Sequence, residues 1–234
     1  MFKHTILVAA VAGLVLAMAP AKHAAAAPIV DATYAVDTNI QGTYFLTATT
    51  TPATWTINSG VTLTIGRLFL GADGKSQTLN LTGGGTLNLF GTGSYAFARI
   101  GHSPAATGTL VIDGGVSVFG NDQGLNIDGG GAVITITDGL ADFSAGSFSV
   151  WAPLAFSIAD NNATLIVAGQ IDDAADFAST FSGAGPASVT ASGSNPLLFS
   201  FDGTDTTITA VPEPATLALL SLGGLGLILG RKRR

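Results

Sequence analysis

The chain contains no cysteine, which excludes disulfide bonds, thiolate zinc sites and a cysteine nucleophile. Many exported bacterial proteins use no disulfide, so this absence does not argue against export. Between residues 28 and 210 there is no glutamate, and three basic residues, Arg67, Lys75 and Arg99, stand against 14 aspartates. That region carries a net charge of -11, whereas the whole chain is at -6 because its other basic residues lie at the two ends. A basic footprint for a phosphate backbone is missing, which excludes nucleic acid as a partner. Histidine is scarce too: His4 and His23 precede residue 28, leaving His102 in Gly101-His102-Ser103-Pro104. Adjacent Ser103 is badly placed to be its nucleophile, so His102 reads as a loop histidine in solvent. No apolar run reaches the ~20 residues of a full membrane-spanning helix.

What is present is a β-rich pattern. The hydrophobic share of 47% is enough to bury a core, and 31 glycines punctuate runs of Val, Ile, Leu and Thr. Thr78-Leu79-Asn80-Leu81-Thr82, Thr109-Leu110-Val111-Ile112-Asp113 and Val133-Ile134-Thr135-Ile136-Thr137 are alternating strands ending near glycine. Each is followed by a second apolar burst, at Thr86 to Phe90, Val116 to Phe119 and Leu140 to Phe143. The segments are spaced by 31 and 24 residues, and Thr164-Leu165-Ile166-Val167 follows Val133 after another 31. Repeats of this size, none able to bury its own apolar face, predict stacking. The expected class is all-β, with a right-handed parallel β-helix or solenoid ahead of the alternative, an antiparallel β-sandwich.

The expected organisation is a signal peptide over 1–27, N-terminal strands or a cap over 28–75, solenoid repeats over 76–170, a short helix and hairpin over 171–210, and a terminal signal over 211–234. Asp172, Asp173 and Asp176 precede Phe177 and Phe181 at helical spacing, the pattern of an N-terminal cap and first turn. Leu197 to Phe201 and Thr206 to Val211 flank Asp202-Gly203-Thr204-Asp205, a hairpin signature.

At the N-terminus, Lys3 and His4 precede the apolar stretch Ile6 to Met18, and small residues follow at Ala24 to Ala27. This order is that of a secretory signal peptide, forming a signal helix that signal peptidase removes near Ala26 or Ala27. At the C-terminus, Val211-Pro212-Glu213-Pro214 is followed by the uncharged run Ala215 to Gly230 and by Arg231-Lys232-Arg233-Arg234. As a helix at ~1.5 Å per residue this run reaches only ~24 Å, marginal for a ~30 Å hydrocarbon core and suited to a temporary anchor. The basic end would stay in the cytoplasm, placing the two prolines, in extended backbone, at the outer surface of the inner membrane.

These three ordered elements resemble the PEP-CTERM sorting tail, also labelled an ice-binding protein C-terminal domain. The resemblance covers residues 211 to 234. It implies an exosortase as partner, cleavage at or near the tripeptide after transient residence in the inner membrane of a Gram-negative cell, and release or attachment at the cell surface. Separately, the Gly/Thr-rich repeats resemble bacterial surface β-solenoids.

Chemistry in the body is sparse. The aspartate trio at 172, 173 and 176 is explained by helix capping before a glycosidase pair, and Arg67 and Arg99 sit in no lyase motif. Asn121, Asp122, Asn126 and Asp128 offer oxygen atoms near turns, as calcium prefers, but match no calcium-loop pattern and are ordinary turn residues. Thr-x-Thr triplets at 47–49, 54–56, 62–64, 135–137 and 207–209 suggest an ice-ordering face, yet do not recur in register. The reading is an exported, noncatalytic, structural or adhesive surface or matrix protein, with no cofactor and with extracellular polysaccharide as a candidate partner. The alternatives are a carbohydrate-active enzyme on a β-helix and a calcium- or ice-binding module.

Overall fold

A computed structural model describes residues 27–45, 52–72, 74–89, 97–120, 125–159, 162–192 and 195–211. The signal helix and the membrane helix expected at the two ends lie outside these residues, as do Asn121 and Asp122. Among the described residues no helix is long and apolar enough to cross a membrane.

The body is all-β, built in tiers. A leading strand β1 (Ala27–Pro28) precedes the first tier, which holds β2 (Ala32–Tyr34) and β3 (Thr38–Phe45); the second holds β4 (Ala53–Ile57) and β5 (Thr62–Leu70). The third holds β6 (Gln77–Thr82), β7 (Thr86–Leu89) and β8 (Phe97–Ile100). Next come β9 (Gly108–Val118) with β10 (Leu125–Ile127), and β11 (Ala132–Phe143) with β12 (Phe148–Val150). After β13 (Leu154–Ile158) and β14 (Ala163–Ala168), a helix α1 (Ala174–Phe181) leads to β15 (Ala187–Ala191). A terminal hairpin, β16 (Leu197–Phe201) and β17 (Asp205–Ala210), closes the described chain.

Each tier pairs in parallel with the next, along three ladders. In the first, β2, β4, β6, the start of β9, the start of β11, β13 and β15 follow one another. The second runs through the starts of β3 and β5, then β7, the ends of β9 and β11, and β14. The third runs from β1 through the ends of β3 and β5 to β8, β10 and β12. Only β14–β17 and β16–β17 are antiparallel among the described pairs. The strands of 28–75 thus occupy the same ladders as those of 76–170.

Alternation explains why these segments stack. Leu79, Leu110, Ile134 and Phe156 share one inward column and are buried, while the intervening Asn80, Val111, Thr135 and Ser157 point out. Near the last tiers the core turns aromatic: Phe119 stacks on Phe143 at 4.1 Å, Phe143 meets Phe156 edge-on at 5.5 Å, and Phe156 meets Phe177 of α1 at 5.8 Å. Asp173 caps this helix, accepting from the backbone N–H groups of Ala175 and Asp176 at 2.8 Å each. Glycine is needed where tiers turn close together. Gly101, at φ +72°, lies against Gly131, and a Cβ there would run into the Gly131 carbonyl oxygen.

One expectation is corrected. Thr78, Thr109 and Val133 do stack in register, but Thr164 does not continue their series. It pairs with Leu140, in the second ladder with the second apolar bursts, whereas Val133 is followed by Ala155, 22 residues on. The reason is that β11 passes through a corner at Asp138 and Gly139, where its register shifts, so one strand serves two ladders.

Candidate functional site

The terminal signal begins where the described residues end. Strand β17 is held on both edges, by β14 and β16, and the N–H of Val211 donates to Pro196 O at 2.8 Å. Pro212, Glu213, Pro214, Gly230, Arg231, Lys232, Arg233 and Arg234 lie outside the described residues. Pro214 is four residue steps beyond Ala210, at most ~14 Å of extended chain. The signal is therefore presented directly by a folded hairpin, with no long linker between.

The remaining residues singled out by sequence sit on the outer surface. Asn126 lies on β10, level with Arg99 of β8 and Ser149 of β12. Asp128, one corner further, faces Arg99 and His102: Arg99 Nη1 approaches Asp128 Oδ2 at 3.6 Å and His102 Nδ1 lies 3.1 Å from Asp128 Oδ1. Among the described residues no group of three or more His, Asp or Glu side chains is placed to hold a metal ion. His102 is not the solvent-facing loop histidine expected: it is half-buried, with its ring edge-on to Phe69 at 5.6 Å. The guanidinium of Arg99 lies over the same Phe69 ring at 5.8 Å. Phe69, Arg99, His102 and Asp128 come from three successive tiers. The spacing of 26 residues between His102 and Asp128, close to the repeat, is the signal by which this cluster could have been found.

Several of the other described aspartates hold backbone, while Asp113 accepts from the Thr137 hydroxyl and Asp172 from the Gln170 amide. Asp31 accepts from Thr54 N at 2.7 Å, Asp37 from Thr62 N at 2.8 Å, Asp142 from Ser144 N at 2.9 Å and Asp176 from Asp172 N at 3.0 Å. In the last hairpin Asp202 accepts from Thr204 N and Asp205 N, and these bonds, that from Asp205 foremost, hold its carboxyl below the ordinary aspartate value. Of the threonine triplets, Thr54–Thr56 and Thr135–Thr137 lie in the first ladder, Thr62–Thr64 in the second and Thr207–Thr209 in the hairpin, while 47–49 lies outside the described residues. Thr56 instead meets Thr82, hydroxyl to hydroxyl at 3.0 Å.

The hairpin that delivers Val211 to the tripeptide, the apolar run and the basic end defines the class: exported proteins with a C-terminal sorting signal. Residues 210–234 match the PEP-CTERM protein-sorting motif, so the chain carries a PEP-CTERM sorting domain. The motif implies export and processing at the membrane by an exosortase. No curated protein and no solved structure matches the chain.

Proposed function

We propose that the body is a parallel β-helix serving as a noncatalytic structural or adhesive element of the cell surface or extracellular matrix once the tail is removed. The parallel ladders support a β-helix over a sandwich, since sandwiches are built from antiparallel sheets. The observation that carries the functional reading is the use of the acids. Asp31, Asp37, Asp142, Asp173, Asp176 and Asp202 each spend a carboxylate oxygen on backbone N–H groups of the scaffold. A carboxylate committed in this way steadies a turn and is a poor proton shuttle. Acidity here serves architecture and solubility.

The test incubates the exported protein with bacterial and plant polysaccharides. Unchanged polymer length is expected; depolymerisation that disappears on replacing Asp172, Asp173 and Asp176 would overturn the reading in favour of a carbohydrate-active enzyme. For the sorting route, replacing Pro212-Glu213-Pro214 by alanines is expected to leave a longer, membrane-retained form on immunoblots of cell fractions. Unaltered size and location would remove the exosortase step.

A further inference from the structure

The third ladder carries an outer surface unlike the other two. Its outward column reads Phe69, Arg99, Asn126, Ser149 from tier to tier. Two residues beyond Ser149, at the corner, stands Trp151, with 66% of its surface exposed. The other tryptophan, Trp55, is only 2% exposed. An exposed indole costs solubility and has no packing role to explain it. Moreover it is fixed in place: its Nε1–H donates to Ser149 Oγ at 3.0 Å. A pinned ring presents a rigid flat face and loses little conformational freedom when something lies on it.

We infer that Trp151 and the side chains beside it form a binding strip for a neutral polysaccharide chain. This proposal rests on the adhesive reading above and supplies its partner and its place. The negative face of an indole attracts the slightly positive C–H groups on the flat side of a pyranose ring. Around that platform the groups are polar. Ser149 still has its hydroxyl proton to donate while its oxygen accepts from Trp151, and a carboxylate has about four lone-pair positions, so Asp128 can accept from sugar hydroxyls while holding Arg99 and His102. Asn126 lies one tier below Ser149 and Arg99 one tier below that. Tiers are ~4.8 Å apart, so hydrogen-bonding groups extend ~10 Å along the stack from the ring, a track for several linked sugars rather than a pocket for one.

The surroundings select this ligand over others. A protein interface of useful affinity buries an apolar centre, and here one aromatic ring is bordered by Ser149, Asn126 and Asp128. Membrane docking needs an apolar face or a basic cluster free to meet lipid phosphates; the nearby Arg99 guanidinium and His102 ring are turned toward Asp128 instead. A polyanionic glycan would meet an arginine already turned to Asp128 and a body at -11. An uncharged chain of hydroxyls meets no such repulsion.

The experiment is affinity electrophoresis of the protein recovered from exporting cells, in native gels containing hydroxyethylcellulose, galactomannan, dextran or, as the polyanion, alginate. Retardation by at least one of the three neutral polymers is expected, together with protection of Trp151 fluorescence from iodide, Trp55 being buried in either case. The W151A variant is expected to lose at least about tenfold in apparent affinity, and S149A, which unpins the ring, about threefold. The V36A variant, altering a residue 71% exposed in the first tier, is expected to bind as the parent does. Retardation equal in parent and W151A, retardation by alginate alone, or none by any neutral polymer would overturn the strip. Shortening of the polymer together with Trp151-dependent retardation would support the strip while overturning the noncatalytic reading.

Discussion

The middle tiers and the final hairpin are both β-structure, but they are held together differently. In the middle, strands such as β9 and β11 meet parallel neighbours on both edges, and their inward residues Leu110, Ile112, Ile134 and Ile136 are fully buried. None of this burial exists within one tier. In the hairpin, β16 pairs only with β17 among the described strands, and Leu198 and Phe201 remain exposed. Its hold on the body runs through β14, through Ile208 and Ala210 of β17, which are buried in the common core, and through Thr206, whose buried hydroxyl donates to Gly169 O at 2.7 Å and accepts from Ile171 N at 2.9 Å. Contacts between tiers on both edges supply the stability of the first region, whereas the second, which precedes the sorting signal, enters the buried core through β17 alone and leaves β16 partly exposed.

The sharpest way to break this contrast is to cut the same residue type in both regions. Phe156→Ala, deep between Phe143 and Phe177, is expected to cost ~3–5 kcal/mol in urea denaturation. Phe201→Ala, in the exposed strand, is expected to cost under ~0.5 kcal/mol. Equal losses would mean that the hairpin is as much part of the core as the middle tiers.

Thr206→Val probes the junction. The substitution keeps the volume but leaves the buried Ile171 N–H without its partner and removes the bond to the Gly169 carbonyl, an expected loss of ~1–3 kcal/mol. Hydrogen exchange is expected to quicken at Ile171 N–H and in β17 before it does in β9 or β11. Uniform quickening across all tiers would show that the hairpin and the stack open as one unit.

The smallest effect concerns acid. Because Asp202 has its carboxyl held low by the N–H groups of Asp205 and Thr204, its contribution is present above the ordinary aspartate range and is lost as pH falls through the lower folded value. NMR of the hairpin amides is therefore expected to show the Thr204 and Asp205 signals fraying at acid pH in the parent. In D202N the same signals are expected to be weaker-bonded at neutral pH and insensitive to acid over that range. A parent-like titration in D202N would assign the bonds to another group.

Much of the fold was legible because it repeats. Thr78, Thr109 and Val133 could be aligned by eye, and they stack. Thr164 breaks the series for a physical reason: Leu154 to Ile158, the successor of Val133's strand in the first ladder, contains Ala155, Phe156 and Ser157 and lacks the Thr- and Gly-marked pattern of its neighbours. Burial asks only that alternate residues be apolar, so the outward letters can change. The candidate strip was hidden in another way. Asn126 and Asp128 stood out as turn residues, while Ser149 and Trp151 gave no motif at all, and only the pairing of β8, β10 and β12 puts them on one surface.

By itself, then, the sequence determined the β-rich composition, the acidity of the body and the sorting tail, because a targeting signal is read as an ordered string of residues and needs no fold to be recognisable. Which residues became neighbours was decided by tertiary structure alone. His102 meets Asp128, and Ser149 stands above Asn126 and Arg99, because tiers offset by about one repeat bring distant positions to within ~4.8 Å of each other, a proximity set by strand register rather than by any local pattern.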